Sequence, residues 1–108
     1  MAGGNKKASR HFHFKGYALM YYVYILLLSN TPLYTGYTSD LKRRLLEHQH
    51  GKSEFTSQRL PVRLIHYEAY SLESDARRRE RFLKTTEGKR LLRQQIRDCL
   101  NSITPHIE

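Results

Sequence analysis

The sequence predicts an α/β (α+β) domain, a small three-stranded antiparallel sheet flanked by helices. Three observations carry this. Two tyrosine-rich apolar runs, residues 21–28 and 33–37, are joined by the turn Ser29-Asn30-Thr31-Pro32, which is a hairpin signal. A third apolar run, 62–70, opens after Pro61. Three stretches with helical periodicity, near 40–50, 72–85 and 87–100, each begin beside residues that cap well. At 108 residues a single domain is expected, here assigned to 20–101, between an N-terminal tail (1–19) and a C-terminal one (102–108).

Residues 1–19 read as a disordered basic tail: Gly3-Gly4, then scattered bases without an apolar period. His11-Phe12-His13 alone would make a weak metal site. The apolar run from Tyr17 to Leu28 follows a basic start, as a signal peptide does. Its tyrosines and β-branched residues suit a strand better, and no small-x-small cleavage site follows. It is also too short to span a membrane as a helix.

Along 21–28, Tyr22, Tyr24 and Leu26 point one way and Val23, Ile25 and Leu27 the other. Both faces are apolar, so this strand should be central. Gly36 in the second strand signals close backbone approach or a turn into the helix. Thr38, Ser39 and Asp40 then offer caps, and Asp40 also suits the positive end of the helix dipole. On the first helix Leu41, Arg44, Leu45 and His48 fall within one arc, while Lys42 and Arg43 fall outside it. Gly51 should stop this helix. Lys52 to Leu60 reads as a polar loop or a short helical turn, in which Lys52 and Arg59 serve either as phosphate contacts or as ordinary loop charges.

Ser71 is the expected cap of the second helix, with Glu73 and Asp75 in its first turn. Leu72, Ala76 and Leu83 define its buried side, and Glu80 borders it. Arg79 falls inside that apolar arc, either snorkelling or reaching a phosphate. Thr86 is the expected cap of the third helix, and Gly88 should weaken its first turn. Its apolar side is Leu91, Leu92, Gln95, Ile96, Cys99 and Leu100. Lys89, Arg90, Arg93 and Arg97 make a basic face, by default a solvated one.

The charge is +9, from 19 Lys+Arg against 10 Asp+Glu. The first 19 residues hold four bases and no acid, so the rest keeps an excess of five. A basic domain suggests a polyanion, of which nucleic acid is the commonest, although solubility alone would explain the charge. The single cysteine, Cys99, excludes an intramolecular disulfide and a Cys-based zinc site. It fits a reducing, cytoplasmic location.

Tyr24, Tyr34, Arg44 and His48 thus converge on one face of the hairpin. Such a group is costly to bury without partners and usually holds an anion or does chemistry. Tyr22-Val23-Tyr24, then Tyr34-Thr35-Gly36 ten residues on, then Arg44 and finally Glu80 resemble the GIY-YIG nuclease domain, most closely its small stand-alone bacterial members. The resemblance spans about 21–100. Tyr22 stands where the first triplet of the family has its glycine.

The resemblance implies a divalent-metal-dependent DNA endonuclease. In it Tyr24 or Tyr34 would aim the attacking water, and Arg44 would pair with the scissile phosphate. Glu80 would hold one Mg²⁺ or Mn²⁺. Tyrosine is a poor base at its reference pKa of about 10. A neighbouring cation (Arg44, His48 or the metal) would favour the phenolate. Arg43, Lys52, Arg59 and Arg79 are the candidate nucleic-acid contacts. Branched or damaged DNA is one substrate option, in repair or recombination; a further reading is an interaction module whose activity depends on a larger protein partner, and no membrane partner is expected. The competing reading is a non-catalytic nucleic-acid-binding protein with a vestigial site, in which Glu80 merely pairs with Lys84 at i+4.

Overall fold

The computed structural model describes residues 19–30 and 32–103. The expected basic tail and His11-Phe12-His13 lie almost wholly outside them. Three strands, β1 (Tyr21–Leu27), β2 (Leu33–Thr38) and β3 (Arg63–Tyr70), form one antiparallel sheet in the order β2-β1-β3. The helices are α1 (Leu41–Gln49), α2 (Glu73–Leu83), α3 (Thr86–Gln95) and α4 (Arg97–Ile103). This is the expected fold class. No helix among the described residues is long and apolar enough to cross a membrane.

β1 is central and both of its faces are covered, which explains its unbroken apolar run. On one face Val23 and Ile25 pack with Ala76 and Leu83 of α2 and with Leu92 and Ile96. On the other, Tyr24, Leu26 and Leu28 pack with Val62 and against Leu41 and Leu45 of α1. Each valine, leucine or isoleucine among them contributes about 1.5–3 kcal/mol on burial. The β1/β3 register shifts between Ile25 and Leu26.

Three local expectations are corrected. Ser71 does not cap α2: the cap position is Leu72, extended and without a side-chain cap bond. Glu73 and Asp75 in the first turn supply the negative charge that the dipole favours instead. Thr85, not Thr86, caps α3, its hydroxyl accepting from the Gly88 N–H at 3.0 Å. The single helix expected over 87–100 is two, because Ile96 leaves helical geometry at φ −109°, ψ 32°. The second of these, α4, runs to Ile103.

Gly88 has a packing reason. A Cβ there would lie 1.9 Å from the Phe82 carbonyl oxygen. The start of α3 is pressed against the backbone that ends α2, and only glycine fits. The propensity cost of glycine, about 1 kcal/mol, is accepted for that contact.

Candidate functional site

The site begins with the β1/β2 register. Tyr24 sits opposite Gly36, so the two share a face, and β2 is an edge strand. A Cβ on Gly36 would come within 2.3 Å of both Cζ and the hydroxyl of Tyr24. The missing side chain is the notch in which the Tyr24 ring lies. Gly36 therefore serves close approach, the first of the two roles expected for it.

α1 closes over this notch. Asp40 starts it, with Oδ1 accepting from the Arg43 N–H at 3.1 Å. His48, in its last turn, is fully buried. Its Nε2 shares a 2.8 Å hydrogen bond with the Tyr24 hydroxyl, and its Nδ1 shares another of 2.8 Å with Thr56 Oγ1. Thr56 is also fully buried. A neutral imidazole donates from one nitrogen and accepts at the other, so Tyr24 and Thr56 take opposite roles. Both buried hydroxyls thereby gain a partner, avoiding about 1–3 kcal/mol for each polar group left unsatisfied.

Arg44 approaches from one turn earlier. Its Nε donates to the Tyr24 hydroxyl at a long 3.4 Å, and its Nη1 donates to Glu47 Oε1 at 2.9 Å. Arg43 grips the other oxygen of Glu47 at 2.7 Å. Tyr34 completes the cluster through ring contacts with Tyr24 (6.3 Å) and His48 (5.3 Å).

The electrostatics revise one expectation. Burial pushes the Tyr24 hydroxyl up to about 12; Arg44 opposes the shift, and the charges of Tyr34 and Glu80 add to it. Burial also lowers His48 to about 4, helped by the Arg44 charge. His48 is therefore neutral near pH 7 and cannot be the cation that favours a Tyr24 phenolate. Arg44 is held more firmly charged than usual, first by the Glu47 hydrogen bond.

Burial of neutral His48 has a pH consequence. The unfolded chain takes up a proton near pH 6.5 that the folded ring refuses until about pH 4. Between those values the unfolded state binds more protons, so stability falls as pH falls. The His48 share is at most about 1.4 kcal/mol per pH unit. Glu47, Glu68 and Glu73 are held below the usual carboxylate range and also lose stabilisation in acid, so the informative quantity is a difference. Thermal melts of His48→Gln from pH 7 to 4 are expected to show a shallower loss than wild type. Parallel curves would mean the ring is protonated in the fold.

Glu80, on α2, is 19 % exposed at its side chain and pairs with Lys84 Nζ at 3.1 Å. Its charge reaches the Tyr24 hydroxyl. Among the described residues no three His, Cys, Asp or Glu side chains converge as a metal-binding group. A hard cation that keeps most of its waters needs only one or two carboxylates. Glu80, half-buried, within reach of Tyr24 by charge and restrained by a lysine that is 54 % exposed, is a carboxylate of the kind such a cation would need.

The four other expected contacts separate. Arg43 is 57 % exposed on the outer side of α1 and, with Lys52, lines a groove beside Tyr22 and Leu46. Arg59 stacks on Phe55, its Cζ 4.0 Å from the ring centroid. Arg79 is held bidentately by Glu68 at 2.9 and 3.1 Å. Tyr70 and His66 bind the same carboxylate. That network explains a cation in an apolar arc. Thr56, Glu47 and Phe55 were missed by sequence reasoning. The Glu47 spacing to Arg43 and Arg44, at i+4 and i+3, could have indicated it; nothing in the polar loop singled out Thr56.

Residues 20–93 match the GIY-YIG catalytic domain. The chain belongs to that family. It is a nuclease family, and the ordered set of Tyr24, Tyr34, Gly36 and Arg44 lies within the match. A UPF0213 protein of Haloquadratum walsbyi is 42 % identical over 81 residues, covering 72 % of this chain and 91 % of that one. One from Streptococcus agalactiae is 47 % identical over 64 residues, covering 58 % and 73 %. The solution NMR structure of a UPF0213 protein from Bacillus halodurans is 30 % identical, covers 81 % of this chain and 99 % of that one, and has a TM-score of 0.49.

Proposed function

We propose that the protein is a divalent-metal-dependent DNA endonuclease that hydrolyses phosphodiester bonds at the Tyr24–Tyr34–Arg44–His48–Glu80 cluster. The observation that carries this is Arg44. Its guanidinium has five donors in a planar fork, and Glu47 and Tyr24 engage two of them. The rest suit a phosphate, which a fork binds bidentately.

In this reading the phosphate docks on Arg44 with its scissile bond over the notch. The Tyr24 hydroxyl orients a water for in-line attack. With a pKa of about 12 it positions that water in neutral form. His48 fixes the direction of the Tyr24 O–H, and Thr56 fixes the His48 ring. Tyr34 walls the cluster on the edge-strand side. Glu80 would hold one Mg²⁺ or Mn²⁺, whose charge when bound stabilises the phosphate oxygens and favours phenolate. The excess of basic residues supports DNA as the polyanion.

The second reading, a DNA-binding protein with a vestigial site, is favoured by the Glu80–Lys84 pair. The experiment is a nicking assay on plasmid and branched DNA with Mg²⁺ or with EDTA. Nicking only with Mg²⁺ supports the nuclease; DNA bound but intact under both conditions supports the second reading.

A further inference from the structure

The loop between α1 and β3 is anchored and exposed at adjacent residues. Thr56 is fully buried on His48. Phe55, the residue before it, leaves 48 % of its surface to solvent. A single exposed aromatic is ordinary, but Phe55 is held in place by flat groups. Its ring stacks on Tyr34 with centroids 5.5 Å apart and planes 23° from parallel. The Arg59 guanidinium lies 4.0 Å from its centroid, and Arg59 Nη1 donates to the Phe55 carbonyl at 2.6 Å. Tyr34 in turn touches Tyr24 and His48. A half-exposed aromatic ring, stacked on Tyr34 and covered by the Arg59 guanidinium, thus sits at the lip of the site.

We propose that Phe55, with Arg59, is a stacking subsite for an unpaired nucleobase next to the phosphate at Arg44; the proposal rests on the nuclease reading. A base is flat like the guanidinium it would displace, and larger, and aromatic rings and arginine planes both stack bases. Arg59, displaced, remains a cation for the adjoining phosphate. In an intact duplex the faces of each base are already covered by its neighbours. A nucleotide at a flap or gap has a face to offer. The subsite therefore favours DNA with an unpaired nucleotide over continuous duplex.

The test uses the full chain in EDTA, so that no cleavage is needed. A flap oligonucleotide carries 2-aminopurine at its first unpaired position, and a duplex of the same sequence serves as reference. Wild type should quench the 2-aminopurine and bind the flap more tightly than the duplex. Phe55→Ala should weaken flap binding by about 5- to 150-fold, the range of one base stack, and leave duplex binding unchanged. Phe55→Trp should restore flap binding. Phe55→Leu, which keeps apolar bulk against Tyr34, should lose the quench and carries the comparison if the alanine variant unfolds. Equal affinity of wild type for flap and duplex, or equal losses on both in Phe55→Leu, would overturn the subsite alone. Wild type that binds neither DNA would overturn the nuclease reading with it.

Discussion

Glu80→Gln is expected to lower metal-dependent nicking by orders of magnitude and to leave the fold intact. Glutamine keeps the size of the side chain and removes the charge that a hard cation requires. The structural loss is the pair with Lys84, one helical turn away and more than half exposed at the lysine. Such i,i+4 pairs are worth about 0.5 kcal/mol or less. Removing Glu80 also removes one of the charges that raise the Tyr24 hydroxyl, so Tyr24 should titrate lower in the variant. DNA binding without metal should persist or tighten, since a negative charge near the phosphates is gone. The measurements are a Mn²⁺ titration that follows perturbation near Tyr24 and Tyr34, and single-turnover nicking. An unchanged metal response together with unchanged nicking would remove Glu80 from the site.

Arg44→Ala should abolish cleavage, whereas Arg43→Ala should weaken DNA binding modestly. Sequence neighbours rarely differ so much, and the reason is helical direction. Arg44 is 30 % exposed and reaches Tyr24; Arg43 is 57 % exposed and, among the described residues, its side chain pairs with Asp40 and Glu47. Without Arg43, Glu47 still holds Arg44. Without Arg44, the buried Tyr24–His48 pair keeps its mutual bond but faces no cation. Arg44→Lys tests the fork: it retains charge and loses bidentate geometry, so binding should survive better than rate. Equal effects of the two alanine variants on single-turnover rate would show that both side chains reach the phosphate.

Most of this arrangement was legible in the sequence because it rests on periodicity. Alternation placed Tyr24 on the same face as Leu26, and the 100° step placed Arg44 and His48 on the buried arc of α1. The break between α3 and α4 was not legible: Leu92, Ile96, Cys99 and Leu100 keep one apolar stripe across it, and the pattern carries no trace of the backbone change at Ile96. Thr56 and Phe55 lie in a loop, where no period tells an inward side chain from an outward one. Arg79 was a visible anomaly, but its partner Glu68 is eleven residues away on another element, a pairing that only tertiary structure creates. His48 lies on the arc that the helical step assigns it, but periodicity carries no information about its charge, which burial in the folded chain sets.

The Gly36 notch makes the length of the β1/β2 turn a functional quantity. Tyr24 has room because residue 36, and no other, stands across from it. The turn closes with the Leu28 N–H donating to the Pro32 carbonyl at 3.1 Å, and that closure sets the alignment. A one-residue insertion or deletion there that slid β2 along β1 would bring Thr35 or Tyr37 opposite Tyr24 and send every β2 side chain to the other face. The ring would lose its bed while each residue of the cluster was still present in the chain. Tolerance to insertions is usual for surface hairpin turns; in this one it should be confined to changes that preserve the alignment, and variation in turn length should track loss of the site more closely than variation in turn composition.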